Sequence, residues 1–498
     1  MYIFLRNNDY RYAAEQMLLM LFPEERPVYP SADLGLREEN AVELELKHGK
    51  TYTTAVCRLR YDRRTAQKHV RARTDGIRAG EERARIEQRI LKLAFYRAAL
   101  DVGVPKPEWG CLTGVRPAKF LAGLMQKDGL TETAAVRMLT ETFGVSKGRA
   151  SLALAAERAA ARAKAVLAPQ NVCLYIGIPF CPTRCAYCSF VSVDAPKLLK
   201  SIPDYLNALE QEMRSTAAAV KAAGRRIVAV YIGGGTPTTL SAPELDRLLA
   251  DTKACFDLST CREFTVEAGR PDTVTEEKLA VLVSHGVDRV SVNPQTMSDA
   301  VLEEIGRHHT AAQVREAVEM VKKFPQLAFN MDLIAGLPGD TPESFSDTVR
   351  EVIALSAENI TVHTLALKKG SRFLTEGTAL PDGKAVGEML GDAREKLEAA
   401  GYAPYYLYRQ KFMSGSFENV GWTKPGYENL YNICIMEELC GILAVGAGGS
   451  TKLTAPGGVV KRLMAPKYPR EYMDRIAHTC AEKDEIVRFY NSEPKGTN

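Results

Sequence analysis

The chain has 498 residues, and its 46% hydrophobic and 25% charged content is that of an ordinary globular protein with room for two or three domains. The formal net charge of +4 is small for this length and argues neither for nor against a nucleic-acid partner. No long uncharged apolar run predicts a membrane-spanning segment, and residues 1–9 lack the basic and then apolar layout of a secretory signal.

The N-terminal 70 residues are predicted to form a small α/β unit. Helical periodicity covers residues 10–21, and alternating segments over 41–46 and 53–59 predict two strands joined by a hairpin turn at 48–50. The arginine-rich stretch 58–89 then continues as an amphipathic helix. Its interspersed glutamates favour a solvated helix face, with an RNA-binding or acidic-ligand face as the alternative.

Two further segments complete the predicted N-terminal domain. Residues 109–119 break the helical pattern with glycines and a proline, which predicts a structured loop that opens the next helix. An alanine-rich helix over 149–167 ends at Ala168 and Pro169. We therefore predict a first domain over residues 1–167.

From residue 171 onward, strands and helices alternate. Apolar strands are predicted over 174–178, 227–232, 263–267, 289–293, 329–334 and 360–365. The helices between them are predicted over 204–223, 242–256, 276–285, 311–324 and 342–356. This series predicts a parallel sheet, closed or partly closed into a barrel, with its chemistry at the carboxyl ends of the strands. The alternation stops after residue 370, so we predict a barrel domain over 171–370 and a C-terminal α/β cap with its own small core over 371–498.

Three cysteines follow the first barrel strand in a C-x3-C-x2-C arrangement: Cys181, Cys185 and Cys188. Thiolates this close on one loop can share an iron–sulfur cluster, and three ligands leave one iron open to a non-protein ligand. A zinc site completed by a distant histidine, or three unused thiols, are the alternatives. The remaining cysteines show no paired spacing, so we expect buried or incidental thiols in a reducing cytoplasm rather than a disulfide framework.

Glycine-rich and polar motifs follow the later strands. Gly234 and Gly235 let the backbone approach a ligand where a Cβ would collide, and Thr236 can cap the turn that follows. Glu267 ends the third strand and Gln295 follows the fourth. A carboxylate and an amide at adjacent strand ends suit a ribose diol, because the first accepts hydrogen bonds and the second donates and accepts them.

An acidic residue, Asp332, lies within the otherwise apolar fifth strand. A buried carboxylate needs a partner. We predict that Arg307 is this partner.

The cysteine loop with its aromatic Tyr187 resembles the signature of the radical S-adenosylmethionine (SAM) superfamily. Five motifs in order and spacing resemble the oxygen-independent coproporphyrinogen III dehydrogenase family: LYIGIPFC (174–181), GGGTP (233–237), RVSVNPQ (289–295), GRH (306–308) and DLIAGLP (332–338). The HemZ-like branch is indicated by TGVRP (113–117), YLYRQK (406–411), ENVG (418–421) and YNICIMEE (431–438).

This resemblance implies a partial (βα)6, TIM-like barrel with an N-terminal mixed α/β domain and a C-terminal α/β cap. It implies a [4Fe–4S] cluster on Cys181, Cys185 and Cys188, with SAM on its open iron. The first SAM would contact Tyr175, Gly234 and Glu267. A possible second SAM position would be lined by Tyr187, Gly235, Thr236, Gln295, Arg307, Asp332 and Ala366.

The family reaction is the oxidative decarboxylation of two propionate side chains of coproporphyrinogen III to vinyl groups. The cluster, reduced by a donor such as flavodoxin or ferredoxin, cleaves SAM to methionine and a 5′-deoxyadenosyl radical, which takes a propionate β-hydrogen. A tetracarboxylate substrate calls for cations, and the candidates are Arg409, Lys411, Lys368, Lys369 and Arg116. Nucleic acid and membrane are not expected as partners.

Two departures from the family keep alternatives open. Phe190 stands where the decarboxylating members carry a fourth cysteine. The related haem-chaperone branch also lacks this cysteine. The run ENLYN (428–432) lacks the histidine and tryptophan of the chaperone motif His-Asn-x-x-Tyr-Trp. A haem-binding carrier of the same fold, and a radical SAM enzyme that acts on another substrate such as RNA, are the alternatives to the decarboxylase.

Overall fold

A computed structural model describes residues 1–30, 40–78, 80–127, 129–188, 199–366, 371–410, 413–455 and 459–492. The chain forms two compact units, Met1–Leu154 and Ala155–Asn498. No helix among the described residues has the length and apolar character needed to cross a membrane.

The N-terminal unit contains a four-stranded sheet in the order β1-β2-β3-β4. Its strands are β1 (Tyr2–Arg6), β2 (Ala41–His48), β3 (Tyr52–Tyr61) and β4 (Arg64–Arg73). β1 pairs in parallel with β2, and the other pairs are antiparallel. The predicted β2–β3 hairpin is present. β1 and β4 were not predicted, and β4 lies inside the arginine-rich stretch, where its mostly exposed polar side chains hide the apolar alternation of a strand.

Helices accompany this sheet. They are α1 (Arg11–Leu21), α2 (Glu81–Asp101), α3 (Pro117–Gln126), α4 (Glu132–Arg137) and α5 (Lys147–Ala165), and a π-helical turn (Met138–Thr142) follows α4. The loop predicted at 109–119 opens α3, whose first residue is Pro117. The boundary between the units falls within α5.

The C-terminal unit is built on one eleven-stranded sheet in the order β11-β12-β10-β9-β8-β7-β6-β5-β13-β14-β15. The six predicted barrel strands are β5 (Asn171–Ile178), β6 (Arg226–Gly234), β7 (Glu263–Glu267), β8 (Arg289–Ser291), β9 (Ala328–Ala335) and β10 (Asn359–Thr364). Each is parallel to the next. They form a continuous parallel layer whose carboxyl ends lie along one edge, which confirms the predicted fold class.

Helices connect these strands, and the five that were predicted are present. The connecting helices are α6 (Ile202–Ala222), α7 (Ala242–Cys255), α8 (Glu276–Ser284), α9 (Asp299–Glu304), α10 (Ala311–Lys322) and α11 (Pro342–Ala354). Short α9, which was not predicted, precedes the GRH motif.

The C-terminal segment extends this sheet at both ends. Its strands are β11 (Ala403–Tyr408), β12 (Asn419–Thr423), β13 (Gly441–Val445), β14 (Ser450–Ala455) and β15 (Val459–Met464). Its helices are α12 (Arg372–Glu376), α13 (Gly383–Ala399), α14 (Leu430–Glu437), α15 (Pro469–Asp474), α16 (Ile476–Ala481) and α17 (Asp484–Asn491).

The two edge strands of the parallel layer, β10 and β5, pair with neighbours of opposite direction. β12 pairs antiparallel with β10, whereas β13 pairs in parallel with β5. The sequence predicted a domain boundary near residue 370, but residues 155–498 form one compact unit because these strands continue the ladders of the barrel strands. β13 lies between parallel β5 and antiparallel β14 and is buried along its whole length.

Candidate functional site

A cavity of about 520 Å³ lies at the carboxyl ends of β5 to β9. It brings together the three cysteines of the motif and most of the predicted cofactor contacts: Cys181, Cys185, Cys188, Tyr175, Tyr187, Gly234, Gly235, Thr236, Glu267, Gln295, Arg307 and Asp332. Ala366 is not among the residues that line it; this residue forms a bridge to Met413 beyond the end of β10.

The cysteine loop is fixed by backbone hydrogen bonds on both sides of Ala186. Its N–H donates to the carbonyl of Ile305 at 3.0 Å, and its carbonyl accepts from the N–H of Arg372 at 2.9 Å. All three thiols are partly exposed to the cavity. Cys181 Sγ lies 3.5 Å from Thr236 Oγ1, and burial raises the pKa of this thiol to about 11. Three soft sulfur donors on one cavity wall fit an iron–sulfur cluster.

The glycine turn after β6 is packed against the segment that leads into the cysteine loop. Gly235 N–H donates to the carbonyl of Ile178 at 2.8 Å, and Thr236 N–H donates to the carbonyl of Phe180 at 2.7 Å. A Cβ on Gly235 would lie 2.5 Å from the Phe180 oxygen, and Gly234 has φ of +113°. Both positions therefore require glycine, and the turn leaves backbone where a ligand can approach.

Glu267 is the buried carboxylate of this wall. Its Oε1 accepts from Tyr231 OH at 2.6 Å, and its Oε2 accepts from Gly234 N–H at 3.3 Å. Burial raises the pKa of Glu267 to about 7, against the opposing hydrogen bond from Tyr231. The side chain thus changes charge near neutral pH, at a position where it can accept hydrogen bonds from a bound ligand.

Arg307 connects the cysteine loop with the segment that follows β8. Its guanidinium donates to Tyr187 OH at 2.8 Å and to the carbonyl of Asn293 at 3.0 Å. Burial opposes the charge of Arg307, but the nearby Tyr187 raises its pKa above the ordinary value. Arg307 therefore orients Tyr187, which precedes the third cysteine of the motif in sequence.

The prediction that Arg307 pairs with Asp332 is wrong. Asp332 instead accepts from Asn330 Nδ2 at 2.7 Å, and its second oxygen lies 3.7 Å from His363 Nε2 on β10. Burial favours the neutral acid, but the hydrogen bonds and charge of His363, with help from Asn330, hold the pKa of Asp332 below its usual range. The acid is therefore ionised at neutral pH.

Gln295 is held in an unusual backbone conformation beside Asp332. Its φ is +69°, in the left-handed region, and its N–H donates to the Asp332 carbonyl at 2.9 Å. Non-glycine residues seldom adopt this φ, and such strain persists where the surroundings enforce it. Here the backbone bridge from Gln295 to Leu333 holds the segment against β9.

Several residues of the cavity were not predicted. On the barrel side, Arg270 is buried, donates to Asp272 at 3.0 Å and bonds Thr183 in the cysteine loop. From the C-terminal segment come Ala447, Gly448, Met464, Ala465 and Lys467. The glycine-rich run 446–449 after an apolar strand was a usable signal for part of this wall, because it repeats the pattern of strand and glycine turn seen after β6.

Two of the predicted cationic contacts, Arg409 and Arg116, lie in the described part of the chain, and neither lines this cavity. Arg409 is buried away from it, donates to the carbonyl of Ser416 at 2.7 Å, and has its pKa lowered to about 10 by burial. Arg116 belongs to the N-terminal unit and lines a different cavity. Lys368, Lys369, Lys411 and the departure at Phe190 lie outside the described residues.

The run 428–432, compared above with a haem-binding motif, is structural. Asn429 caps α14 by accepting from Asn432 N–H at 2.7 Å, and its amide donates to Thr265 on β7 at 3.1 Å. The N–H groups of Leu430 and Tyr431 donate to the buried carboxylate of Glu263. These contacts anchor α14 to the sheet.

A second group of three cysteines lies in the same unit. Cys173 on β5, Cys434 on α14 and Cys440 before β13 are buried, and their sulfurs all lie within 4.8 Å of one another. Cys173 and Cys440 are 3.6 Å apart. Apolar residues surround them, including Val228 and Tyr431. The sequence did not predict this cluster, since its members come from distant segments.

A family model of the radical SAM superfamily matches residues 175–352. The chain is 38% identical over 382 residues, 76% of either protein, to the "Oxygen-independent coproporphyrinogen-III oxidase-like protein HemZ" of Bacillus subtilis. This chain therefore belongs to the radical SAM superfamily and, within it, to the HemZ-like branch of the oxygen-independent coproporphyrinogen III dehydrogenase family. A [4Fe–4S] cluster and SAM are the cofactors of this superfamily, as predicted.

Other relatives carry different names. The chain is 32% identical over 302 residues to the "Heme chaperone HemW" of Haemophilus influenzae, covering 60% of this chain and 75% of that protein. Among solved structures, "Coproporphyrinogen III oxidase (HemN)" from Escherichia coli matches with a TM-score of 0.52 and 20% identity, over 66% of this chain and 81% of that one. At this identity the likeness shows the shared fold.

Proposed function

We propose that this protein is a cytoplasmic radical SAM enzyme that decarboxylates two propionates of coproporphyrinogen III, giving protoporphyrinogen IX in anaerobic porphyrin synthesis. The observation that carries the proposal is the single cavity in which three cysteine sulfurs meet a glycine turn, a buried carboxylate and a buried guanidinium. The similarity to the HemZ protein supports the choice of substrate. An electron donor such as flavodoxin or ferredoxin is part of the proposal, and so is a one-electron acceptor for the electron that each substrate radical gives up as carbon dioxide leaves.

Cys181, Cys185 and Cys188 would hold the cluster, because all three thiols open into the same cavity. When bound, the cluster and SAM supply the one-electron chemistry that removes a hydrogen atom from the β-carbon of a propionate. Thr236 lies beside Cys181, and its hydroxyl is in reach of that sulfur. The chain itself therefore supplies ligands, orientation and shielding from water rather than an acid–base pair.

The SAM on the cluster would contact Tyr175, Gly234 and Glu267. Gly234 lets the protein backbone lie close to the ligand. The Glu267 carboxylate, when ionised, accepts hydrogen bonds and favours a cation. The second position would be lined by Tyr187, Gly235, Thr236, Gln295, Arg307 and Asp332, with Ala366 beyond the cavity. In this second group, Arg307 and Asp332 have separate partners: Arg307 donates to Tyr187, and Asp332 lies beside His363.

Lys467 is the side chain that we propose for a propionate carboxylate. It is exposed, lines the cavity, and makes no ion pair with any residue that the structure describes. The other cations of the cavity wall are engaged, Arg270 with Asp272 and Arg307 with Tyr187. The exposed ammonium group of Lys467 can bind a carboxylate while Arg270 and Arg307 keep their present partners.

The buried contacts of the run 428–432 favour the enzyme over the haem carrier. Asn429 and Tyr431 are used to dock α14, so neither is presented to a haem. This leaves the relatives named haem chaperones as the support for the second candidate.

One anaerobic assay tests the proposal. Reconstituted protein is incubated with SAM, reductant and coproporphyrinogen III, and products are identified by mass spectrometry. We expect loss of two carbon dioxide units, with one 5′-deoxyadenosine formed for each hydrogen removed. Stable haem binding without turnover would point to the carrier, and SAM cleavage with an unchanged porphyrinogen would point to another substrate. The Lys467→Met variant should raise KM several-fold while its iron content stays unchanged.

A further inference from the structure

The N-terminal unit contains a second cavity, of about 670 Å³, between α2, the TGVRP loop and α3. Its size is that of a small-molecule site. The proposed function makes no use of it, and all of its lining residues belong to the unit Met1–Leu154.

Cationic side chains dominate the lining of this cavity. Six of the residues are basic and one, Glu82, is acidic; the basic ones are Arg85, Arg89, Lys92, Arg116, Lys119 and Lys127. They come from two helices and from the loop between them. A concave surface with one sign of charge and low-dielectric walls concentrates the opposite charge.

Two of these cations, Arg89 and Lys92, stand three residues apart on α2 and are partly buried. Lys92 Nζ donates to the hydroxyl of Thr113 at 2.8 Å, a neutral partner. Neither side chain forms an ion pair with any residue in the described part of the chain. Like charges at this helical spacing repel each other, and burial lowers the pKa of Lys92, so a bound anion would relieve both effects.

The cavity also has an apolar floor. Phe120 and Phe143 meet edge to face with ring centroids 5.2 Å apart, and both line the cavity beside Ile86 and Leu112. α3 begins with Pro117, which lines the cavity, so the positive end of its dipole adds to the charge of the lysines and arginines. Apolar walls with a cationic rim match a ligand that has an apolar body and anionic groups.

We propose that this cavity binds a small molecule with an apolar ring system and at least two carboxylate or phosphate groups. Arg89, Lys92 and Arg116 take the anionic groups, and Phe120 packs against the ring. A tetrapyrrole with propionate side chains and a nucleoside triphosphate share this chemistry. The inference is independent of the proposed function, because it uses no residue of the cysteine cavity.

Binding to the full-length chain tests the proposal. Coproporphyrin III and ATP are titrated separately by isothermal calorimetry, each beside its neutral counterpart, coproporphyrin tetramethyl ester or adenosine. We expect one of the two anions to bind, its neutral counterpart to bind at least tenfold more weakly, and the double variant R89Q/K92Q to lose about tenfold or more in affinity. The anion that responds identifies the source of the ligand.

The control variant is Arg71→Gln, which removes an exposed arginine on β4 outside the cavity and should leave binding unchanged. Circular dichroism and thermal unfolding check that each variant is folded. The proposal is overturned if neither anion binds, or if the double variant binds as the unaltered chain does. Equal weakening by Arg71→Gln would also overturn it, since that result indicates a diffuse basic surface without a pocket. Cleavage of SAM by the double variant should stay unchanged, so this test and that of the proposed function fail separately.

Discussion

The C-terminal unit contains two groups of three cysteines, and their surroundings differ in nearly every respect. Cys181, Cys185 and Cys188 lie on one loop and open into a polar cavity. Cys173, Cys434 and Cys440 come from three elements and are enclosed by an apolar cluster. Burial raises the pKa of Cys181, whereas the hydrogen bonds of Cys434 and Cys440, together with burial, raise the pKa of Cys173.

Sulfur atoms that lie close together therefore do not by themselves define a cluster site. A [4Fe–4S] cluster with an open iron needs space for a cosubstrate, and of these two groups it is the loop cysteines that line the cavity described above. The buried group packs against Val228, Ala229 and Ile442, as core residues do. Free cysteine in such a setting behaves as a small apolar side chain.

The largest expected effect comes from removing a loop cysteine. Cys185→Ala should abolish both the visible absorbance of the reconstituted cluster and SAM cleavage, because two remaining thiolates cannot hold a three-ligand cluster. Absorbance spectroscopy, iron analysis and detection of 5′-deoxyadenosine measure the loss. Cys173→Ala is the matched control and should retain all three signals. Persistent absorbance in the Cys185→Ala protein would contradict the ligand assignment.

Disturbing the buried group should reduce stability instead. Cys173→Ser places a hydroxyl in the apolar cluster, where it is expected to lower the free energy of unfolding by about 1–3 kcal/mol. Urea unfolding measures the change, with Cys173→Ala as the variant that removes the sulfur without adding a polar group. The iron content per chain should stay unchanged. If the folded serine variant lost its iron, the two groups would not be separate.

Replacement of Glu267 in the cavity wall should change the pH dependence of SAM binding. Because the pKa of Glu267 is about 7, its carboxyl is mostly neutral at pH 6 and mostly ionised at pH 8. The ionised form accepts hydrogen bonds and favours a cationic ligand, so SAM affinity should rise by up to about tenfold between these pH values. Equilibrium dialysis of the reconstituted protein measures this, and Glu267→Gln should flatten the profile. An equally steep profile in that variant would assign the pH dependence to another group.

The smallest effect is expected within the cysteine loop. Tyr187→Phe removes the hydroxyl that accepts from Arg307, while the guanidinium keeps its bond to the Asn293 carbonyl. The loss of about 0.5–1.5 kcal/mol should weaken SAM binding a few-fold at constant iron content. Tyr408→Phe, outside the cavity, should leave binding unchanged. A complete loss of the cluster would mean that the hydroxyl, and not the ring, maintains the loop.

The barrel strands could be predicted from the sequence because buried parallel strands are continuous apolar runs separated by helices of ordinary length. The residues at their carboxyl ends follow from the same pattern, which is why Glu267 and Gln295 were found. β4 was missed because its faces carry arginine, lysine and histidine rather than an alternating apolar set.

Contacts between distant strands could not be predicted in the same way. The partner of Asp332 is His363, which lies two residues beyond Thr361, the residue opposite Asp332 in the β9–β10 register. Without that register, the arginine of the GRH motif was chosen as the partner. The cavity contribution of Lys467 likewise depends on β13 pairing with β5, which no local pattern encodes.

The pairing of β13 with β5 sets an order of events during synthesis. β5 leads directly into the cysteine loop, yet its hydrogen-bonding neighbour on one side is Gly441–Val445, near the far end of the chain. Until the ribosome has released those residues, that edge of β5 has no native partner, and unpaired strand edges attract other chains. The C-terminal residues that line the cavity are also missing at that stage: Ala447, Gly448, Met464, Ala465 and Lys467. A chain that ends before Gly441 therefore carries its cysteine loop on a sheet that lacks one neighbour of β5 and part of the cavity wall.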